Sequence, residues 1–307
     1  PLALAGRLVV KKDGKLKEEL VRIDKPLFII PNLCIHLHRD VNDKGGYNKQ
    51  AEILPLLSMR KDGMEKSDYL PELIWEETGI EKSDVIDYEL FLYEYQKGIL
   101  MGPNHEFISA SRIDDLSMVY AGLSALTEAE QGKGCKAFAA FDHEEVGSVS
   151  AQGAHSGLLL HVLNRICKNL GMTDDAYFQA IGNSTSVSAD LAHGVHPNYG
   201  DKHDRENRPV LGGGPGIKYS ASQRYATTAF GAAYFMDACE RAGVPFQRFV
   251  NRNDIPGGST IGPALSGLTT IPTVDMGAPV LAMHSIREFG AVSDQVDTKM
   301  AFLAYFS

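Results

Sequence analysis

The hydrophobic pattern of the chain changes at Gly102-Pro103, and this change limits the possible folds more than any other feature. Before it, short runs alternate apolar and charged residues, which is the two-residue period of half-buried β-strands. After it, long segments with helical periodicity alternate with short runs rich in β-branched and aromatic residues, as in α/β domains. The 307 residues also exceed the usual size of one domain, about 150 residues. We therefore expect a β-rich domain over residues 1–101 and an α/β domain over residues 102–307.

The first domain should begin with a β-hairpin. Asp13-Gly14 separates two runs in which apolar and charged residues alternate, and Asp-Gly is a strong signal for a two-residue hairpin turn. The same kind of pattern predicts further strands over residues 26–39 and 86–92, with a short helix over residues 67–78 between them.

Helices and strands should alternate in the second domain. The periodicity predicts helices over residues 111–129, 150–170, 222–242 and 286–306, and strands over residues 136–142, 185–190, 249–254 and 273–276. Gly243 is placed to end the third of these helices. The glycine-rich segment 212–216 does not open a helix directly after a strand, so we interpret it as a surface turn and not as a phosphate-binding loop.

Composition argues against several classes of function. Thirty Lys and Arg face 39 Asp and Glu, and the resulting net charge of -9 has the wrong sign for a nucleic-acid-binding protein. The longest apolar stretches fall well below the roughly 18 residues that a membrane span needs, and the start does not resemble a signal peptide. The cysteines form no C-x-x-C pair, so a thiolate zinc site is not indicated. We expect a soluble, cytoplasmic protein.

Acidic residues and one histidine follow several of the predicted strands or lie in the loops beyond them. They are Asp114, Glu144, Glu145, Asp190 and His284. In open α/β sheets, ligands bind at the edge where the strands end. We therefore expect these side chains to meet at one edge of the second domain.

Each of these residues also has an ordinary structural interpretation. Asp114 could be a carboxylate stabilised at a helix N-terminus, and a lone histidine such as His284 is more often a core residue than a ligand. Taken together, carboxylates with a single imidazole suit a pair of divalent ions. Two such ions can activate a water and polarise a carbonyl, and a further carboxylate can accept the proton. The combination therefore indicates metal-assisted hydrolysis of an amide.

Five ordered motifs are spread over most of the chain. They are DHEEVGSVSAQGA (142–154), SADLAHGVHPNY (188–199), QRYA (223–226), RNDIPGGSTIGP (252–263) and AMHSIRE (282–288). These motifs resemble the aspartyl aminopeptidase family (M18) of metallopeptidases, and the segment IPNLCIHL (30–37) is similar to that family's second, β-rich domain. The resemblance implies a three-layer, zinc-exopeptidase-like α/β domain with an inserted antiparallel β-rich domain.

The resemblance also implies the metal-binding and catalytic residues. Asp114 would bridge two divalent ions, Glu145 and Asp190 would each cap one ion, and His284 would be a ligand of one of them. Glu144 would be the general base. We expect the ions to be zinc, although carboxylates and histidine also accept Mn and Co.

The substrate and the assembly are likewise implied by the resemblance. The substrates would be peptides, from which the enzyme removes an N-terminal residue, by resemblance an acidic one. Lys218, Tyr225 and His193 match residues that line the substrate pocket. His36 matches a histidine that reaches into a neighbouring subunit's active site. The protein would form a large homo-oligomer, by resemblance a dodecamer.

The sequence departs from the family at one metal ligand. The family takes this ligand from a His-x-Asp motif upstream of the β-rich insertion, whereas His38-Arg39-Asp40 lies inside the β-rich domain. Together with Pro1 as first residue, this leads us to expect a chain that lacks its N-terminal segment. Two other functions stay open: a non-catalytic assembly subunit, and an enzyme of the same fold that acts on neutral residues or on N-acyl groups.

Overall fold

The computed structural model describes residues 1–43, 45–132 and 134–307. The chain divides into two compact units, Pro1–Lys97 and Gly98–Ser307, and the boundary lies close to the predicted change in pattern at Gly102-Pro103. Of the helices in the described part of the chain, none combines the length and the apolar character that crossing a bilayer requires.

The first unit is built on an antiparallel sheet. Strands β1 (Leu2–Lys12), β2 (Lys15–Phe28) and β3 (Val85–Glu94) lie in the order β2-β1-β3. The predicted hairpin is confirmed: Asp13 and Gly14 have φ of 53° and 75°, the left-handed values that a two-residue turn of this kind needs.

One helix and an apolar cluster complete this unit. Helix α1 (Tyr69–Thr78) matches the predicted helix, and Ile74 packs from it onto β1 and β2. The strand predicted over residues 26–39 is wrong beyond Phe28. Leu33, Ile35 and Leu37 are exposed, so no buried face holds this segment in a sheet, and residues 35–37 form a turn.

The second unit contains both helices and strands, as predicted. Its strands are β4 (Ile99–Met101), β5 (Phe107–Ala110), β6 (Ser186–Ala189), β7 (Ala192–His193), β8 (Gly216–Tyr219), β9 (Gln247–Val250), β10 (Thr273–Gly277), β11 (Pro279–Leu281) and β12 (Glu288–Ala291). Its helices are α2 (Ile113–Glu128), α3 (Leu158–Asn169), α4 (Asp174–Gly182), α5 (Ala229–Ala242), α6 (Gly262–Thr269) and α7 (Val292–Phe306). Helices and strands do not alternate strictly, because α2, α3 and α4 follow one another, as do β10, β11 and β12. One sheet has the order β6-β10-β8-β9 and another the order β4-β5-β12-β11-β7.

The main core of this unit lies between helices α2, α5 and α7 and the sheet that contains β8 and β10. Phe235, Phe302 and Met276 are among its buried side chains. Helix α5 approaches β10 closely at Gly231, where an added Cβ would lie 2.6 Å from the carbonyl oxygen of Thr273. The helices therefore cover one face of this sheet.

Several predicted bounds are wrong, because periodicity does not show where backbone hydrogen bonds end. Residues 136–142 form no strand, since they pair with no other strand in the described part of the chain. Helix α5 begins at Ala229 and not at residue 222, because the side chain of Thr228 accepts a hydrogen bond from the Gly231 N–H and caps the helix. Gly243 ends this helix in a left-handed conformation, as predicted.

Other bounds differ for similar reasons. Residues 286–306 do not form one helix, because residues 288–291 are strand β12 and α7 starts only at Val292. Helix α3 starts at Leu158 and not at residue 150, and the strand predicted over residues 249–254 lies at Gln247–Val250. Short helices α4 and α6 were not predicted. The glycine-rich segment begins with a turn before β8, as expected, but the surface turn predicted over residues 212–216 is wrong in its second half, because residues 214–216 are buried and Gly216 begins β8.

The packing at Gly231 makes a prediction about stability. Gly231→Ala should lower the free energy of unfolding by about 1–3 kcal/mol, because the new methyl group meets β10 and forces the helix outward. Gly267→Ala is the matched control: Gly267 is exposed in α6 and an added Cβ meets no described atom within 4 Å. The control should gain up to about 1 kcal/mol from helix propensity. Urea unfolding of both variants checks this, and changes of the same sign would contradict it.

Candidate metal centre

One cavity of the second unit contains the predicted site residues, His36 excepted. Its volume is about 260 Å³. Its lining includes Asp114, Glu144, Glu145, Asp190, His193, Lys218, Tyr225 and His284. A larger cleft of about 650 Å³ is lined by residues 200, 201 and 203–208 and by Arg252. Among the described residues, the groups of potential metal ligands are instead at the smaller cavity, whose lining includes all of their members except Asp115.

Strand ends and short turns place the acidic residues around this cavity. Asp114 follows β5, Asp190 lies between β6 and β7, and His284 follows β11. The strand expected before Glu144 does not form; instead Glu144 and Glu145 begin a single helical turn, Glu144–Val146. The predicted convergence of these side chains is therefore observed, although one of the predicted supporting strands is missing.

His284 lies against two carboxylates. Its Nε2 atom is 3.2 Å from Asp114 Oδ2 and 3.0 Å from Glu145 Oε2. Ligand atoms that surround one tetrahedral zinc ion at roughly 2.0–2.2 Å lie about 3.3 Å from one another. The two distances from His284 are therefore close to the spacing that a single ion requires, and the ligand atoms of Asp114, Glu145 and His284 all lie within 4.8 Å of one another. The Asp114 side chain is buried, whereas those of His284 and Glu145 are 62% and 52% exposed.

A second group of potential ligands shares Asp114. It consists of Asp114, Asp115 and Asp190, whose oxygen atoms lie within 4.8 Å of one another. Asp114 Oδ1 and Asp115 Oδ1 are buried and have no hydrogen-bond partner among the described residues. Buried polar atoms are normally paired, and buried carboxylate oxygens without a hydrogen-bond partner suit a cation. The donor set and its unpaired oxygens therefore fit divalent metal binding.

Burial and like charge raise the pKa values of the acidic residues. Burial, followed by the charges of Asp190 and Glu145, raises the pKa of Asp114 to about 8. Burial and the charges of Asp190 and Asp114 raise the pKa of Asp115 well above its usual value. Burial raises the pKa of Glu145, and the neighbouring His284 opposes this rise. These carboxylates therefore need a nearby cation to be stable in their ionised forms.

Glu144 occupies a different position from the two ligand groups. It lines the same cavity but belongs to neither group. Burial, with the charges of Asp190 and Glu145, raises its pKa to about 7, and the charges of Lys218 and His284 oppose this rise. A carboxylate with a raised pKa beside two groups of potential metal ligands is suited to accept and return a proton.

Lys218 is deeply buried at the cavity and is paired. It is 2% exposed, and its Nζ donates to Asp190 Oδ2 at 3.3 Å. Burial alone would lower the pKa of Lys218, but the charges of Asp190, Tyr225 and Asp275 raise it overall. Lys218 belongs to β8, and Tyr225, which falls within the helix predicted over residues 222–242, instead precedes α5.

Tyr225 and His193 form the apolar and neutral side of the cavity. The Tyr225 hydroxyl accepts a hydrogen bond of 2.8 Å from Asn251 Nδ2, and the Lys218 ammonium lies 5.4 Å from the centre of the Tyr225 ring. Burial, together with the charge of Lys218, lowers the pKa of His193. His193 therefore presents a neutral imidazole to the cavity.

Some residues at this site were not singled out from the sequence. Asp115 could have been suspected as the second half of an Asp-Asp pair, but helical periodicity favours an ordinary helix start there. Glu288 accepts backbone hydrogen bonds from Asp114 and His284. It ends the motif 282–288, yet a single glutamate gives no local sign of such a role. His36 lies in the first unit, where it is exposed in the turn of residues 35–37.

Comparisons with known proteins show which family and which solved structures this chain resembles. The sequence model of the M18 family, described as Aminopeptidase I zinc metalloprotease, matches residues 1–306. A relative from Clostridium acetobutylicum, named Probable M18 family aminopeptidase 2, is 45% identical over 309 residues; the alignment covers 100% of this chain and 71% of the relative.

Several solved aminopeptidase structures have the same fold as this chain. A chain in the cryo-EM structure of the Ape4 and Nbr1 complex matches with a TM-score of 0.92 and 38% identity, and the alignment covers 99% of this chain. This chain spans 62% of the length of that protein. The S. cerevisiae mApe1 dodecamer matches with a TM-score of 0.78 and 26% identity over 99% of this chain and 68% of the other.

Proposed function

Because this chain belongs to the M18 family of zinc metalloproteases, we propose that it works as a two-metal aminopeptidase on peptides with an acidic N-terminal residue. The comparisons confirm three predictions: the resemblance to the M18 family, the classification of the protein as a metallopeptidase, and the α/β fold class. The number of ions, the substrate preference and the residue roles are our proposal.

The sharing of Asp114 by two groups of ligands is the observation that carries this proposal. One group adds Glu145 and His284, and the other adds Asp115 and Asp190. A carboxylate with two oxygen atoms can bind one ion with each of them, so Asp114 is placed to bridge. Bound divalent ions would supply Lewis-acid activation of a water molecule and of the scissile carbonyl.

Glu144 is the residue we assign to proton transfer. It takes the proton from the attacking water and gives it to the nitrogen of the leaving amine. Glu144 lines the cavity but belongs to neither ligand group, so its carboxylate is available to exchange a proton with the water and the leaving amine. Glu145, the next residue, instead points an oxygen to His284, and we assign it to metal binding.

Lys218 supports the choice of an acidic substrate side chain. Among the described residues that line the cavity, it is the sole lysine or arginine, and Asp114, Glu144, Glu145 and Asp190 would otherwise repel an acidic residue. The neutral imidazole of His193 and the hydroxyl of Tyr225 lie in the same cavity and offer hydrogen bonds to the substrate.

Assembly is a further part of the proposal. The mApe1 structure is a dodecamer, and we propose that this protein also forms a large homo-oligomer in the cytoplasm. Within it, His36 would contribute to the active site of a neighbouring subunit. The exposed turn that carries His36 is compatible with such a contact.

Two neighbouring glutamates give the first test of this function. Glu144→Gln should lower kcat by about 10²–10⁴-fold, because the variant loses its proton acceptor, while zinc binding stays within about threefold of the parent. Glu145→Gln is the matched control at the next position and should weaken zinc binding. Steady-state kinetics and metal content measure both effects.

The outcome of this test also separates the alternatives. Activity of Glu144→Gln within about tenfold of the parent would exclude it as the general base. A parent protein that holds at most one zinc ion and cleaves no aminoacyl anilide would point to an assembly subunit.

The substrate preference is tested at Lys218. Removing one partner of a desolvated charge pair typically costs about 2–5 kcal/mol, so Lys218→Met should lower kcat/KM for Asp and Glu anilides by roughly 30-fold or more. Because Lys218 also pairs with Asp190, Leu and Ala anilides should lose some activity as well, and zinc content must be measured in parallel. The informative quantity is the ratio of acidic to neutral substrates. An unchanged ratio would remove Lys218 from substrate selection, and a parent enzyme that favours Leu would contradict the acidic preference.

The role of His36 is tested by mixing subunits. His36→Ala and Glu144→Gln should each be inactive alone, because one lacks the contributed histidine and the other lacks the proton acceptor. Co-assembled mixtures should recover part of the parent activity, since some active sites then combine an intact His36 with an intact Glu144. If mixed oligomers form, as checked with two affinity tags, but recover no activity, His36 does not act across subunits.

A further inference from the structure

Glu288 is a buried carboxylate that holds the backbone of two predicted metal ligands. It is 2% exposed. Its Oε2 accepts a hydrogen bond of 2.8 Å from the Asp114 N–H, and its Oε1 accepts one of 2.7 Å from the His284 N–H. Each carboxylate oxygen therefore fixes the main chain of one ligand, although the two ligands are 170 residues apart in sequence.

The sheet explains how one side chain can reach both ligands. Strand β12 begins at Glu288 and lies between β5 and β11, antiparallel to both. The start of β12 is therefore at the edge where β5 and β11 end. Asp114 follows β5 and His284 follows β11, so the first residue of the central strand lies between the two turns that carry the ligands.

The turns beside Glu288 need such an anchor. His284 has φ of 64° and Arg112, two residues before Asp114, has φ of 57°. Residues other than glycine adopt this left-handed conformation only at a cost in energy. Without other contacts, the backbone at Arg112 and His284 would therefore favour right-handed or extended conformations. A buried, charged acceptor that bonds both N–H groups selects the conformation in which Asp114 and His284 face each other.

We infer that Glu288 is a positioning residue of the metal centre: it fixes the backbone of Asp114 and His284 so that both side chains meet one ion. This inference rests on the proposed metal-binding function. Glu288 does not touch the ion or the substrate in this role. It acts through the two hydrogen bonds, and its full length is needed to make both of them.

A purely electrostatic role is the competing explanation. The charge of Glu288 contributes to the raised pKa values of Asp114 and Glu145, so it could attract a cation without any effect on geometry. The two explanations differ for Glu288→Asp, which keeps the charge but shortens the side chain by one methylene group. The positioning role predicts a loss of metal affinity in this variant, whereas the electrostatic role predicts none.

Asp294 provides a matched control within the same unit. It is 0% exposed, and its two carboxylate oxygens likewise accept one backbone N–H each, from Gly212 and Gly214 at 2.8 Å. These glycines belong to the turn before β8 and are not ligands. Asp294→Asn therefore disturbs the same kind of buried interaction without loosening the turns of Asp114 or His284.

The experiment measures the affinity of the full chain for zinc alone. Metal-free parent, Glu288→Gln, Glu288→Asp and Asp294→Asn are titrated with Zn²⁺ against a chromophoric chelator, and urea unfolding verifies that each is folded. Changes in residues that orient metal ligands typically lower affinity by about 10–100-fold. We expect the affinity for Zn²⁺ to fall at least tenfold in Glu288→Gln and Glu288→Asp. In Asp294→Asn it should stay within about threefold of the parent, even if this variant loses as much stability to urea as the Glu288 variants do.

The possible outcomes are distinct. Zinc affinity of Glu288→Asp within threefold of the parent overturns the positioning role, as does an equal loss in Asp294→Asn. If Glu288→Gln does not fold, Glu288→Asp alone decides. A parent protein that binds no zinc contradicts the proposed metal centre itself, and not merely the role of Glu288.

Discussion

The burial of several carboxylates beside one another is the constraint on which the rest of this structure depends. Asp114, Asp115 and Asp190 lie within a few ångströms of one another, and water is largely excluded from the first two. Burial first, and then the repulsion between neighbouring carboxylates, disfavours their ionised forms, and both causes raise the pKa values of Asp114 and Asp115. A fold can keep this arrangement only if other groups hold the chain in place and if a cation can enter.

Two neighbouring residues, Lys218 and Glu288, hold the chain in place around these carboxylates. Lys218 extends from β8 and donates to Asp190, which supplies one permanent positive charge. Glu288 adds a negative charge but bonds to backbone N–H groups, so it stabilises the positions of the ligands and not their charges. One group compensates charge and the other fixes geometry, and the remaining negative charge is left for metal ions. This division explains why another acidic residue lies beside a cluster that is already acidic.

The sequence predicted the outline of the fold because its strongest signals are local. The Asp13-Gly14 turn and the end of α5 at Gly243 depend on a few adjacent residues, and both are confirmed. The strand over residues 136–142 and the long helix from residue 286 failed because each depends on distant partners. A strand needs a neighbour for its hydrogen bonds, and β12 forms only because β5 and β11 lie on either side of it. The same reason explains the site: Asp114, Glu145, Asp190 and His284 were found from motifs, whereas Glu288 is recognised only through contacts with two distant turns.

The turns that carry the site residues share a conformational feature that follows from this constraint. Arg112, His143 and His284 all have φ near 60°. The first two lie just before Asp114 and Glu144, and His284 is itself a proposed metal ligand. A left-handed residue reverses the local direction of the chain within one or two positions, which lets a side chain near a strand or at the start of a short helix turn inward. Such residues cost energy and tend to occur at functional sites. At His284, the hydrogen bond from its N–H to Glu288 Oε1 offsets this cost. At His143, the corresponding hydrogen bond is local, because its N–H donates to Asp142 Oδ1 of the preceding residue. The conformation at His143 is thus supported by a neighbouring residue. The turn at His284 depends instead on the distant carboxylate of Glu288, so we expect this turn to be the part of the site most sensitive to changes elsewhere in the sheet.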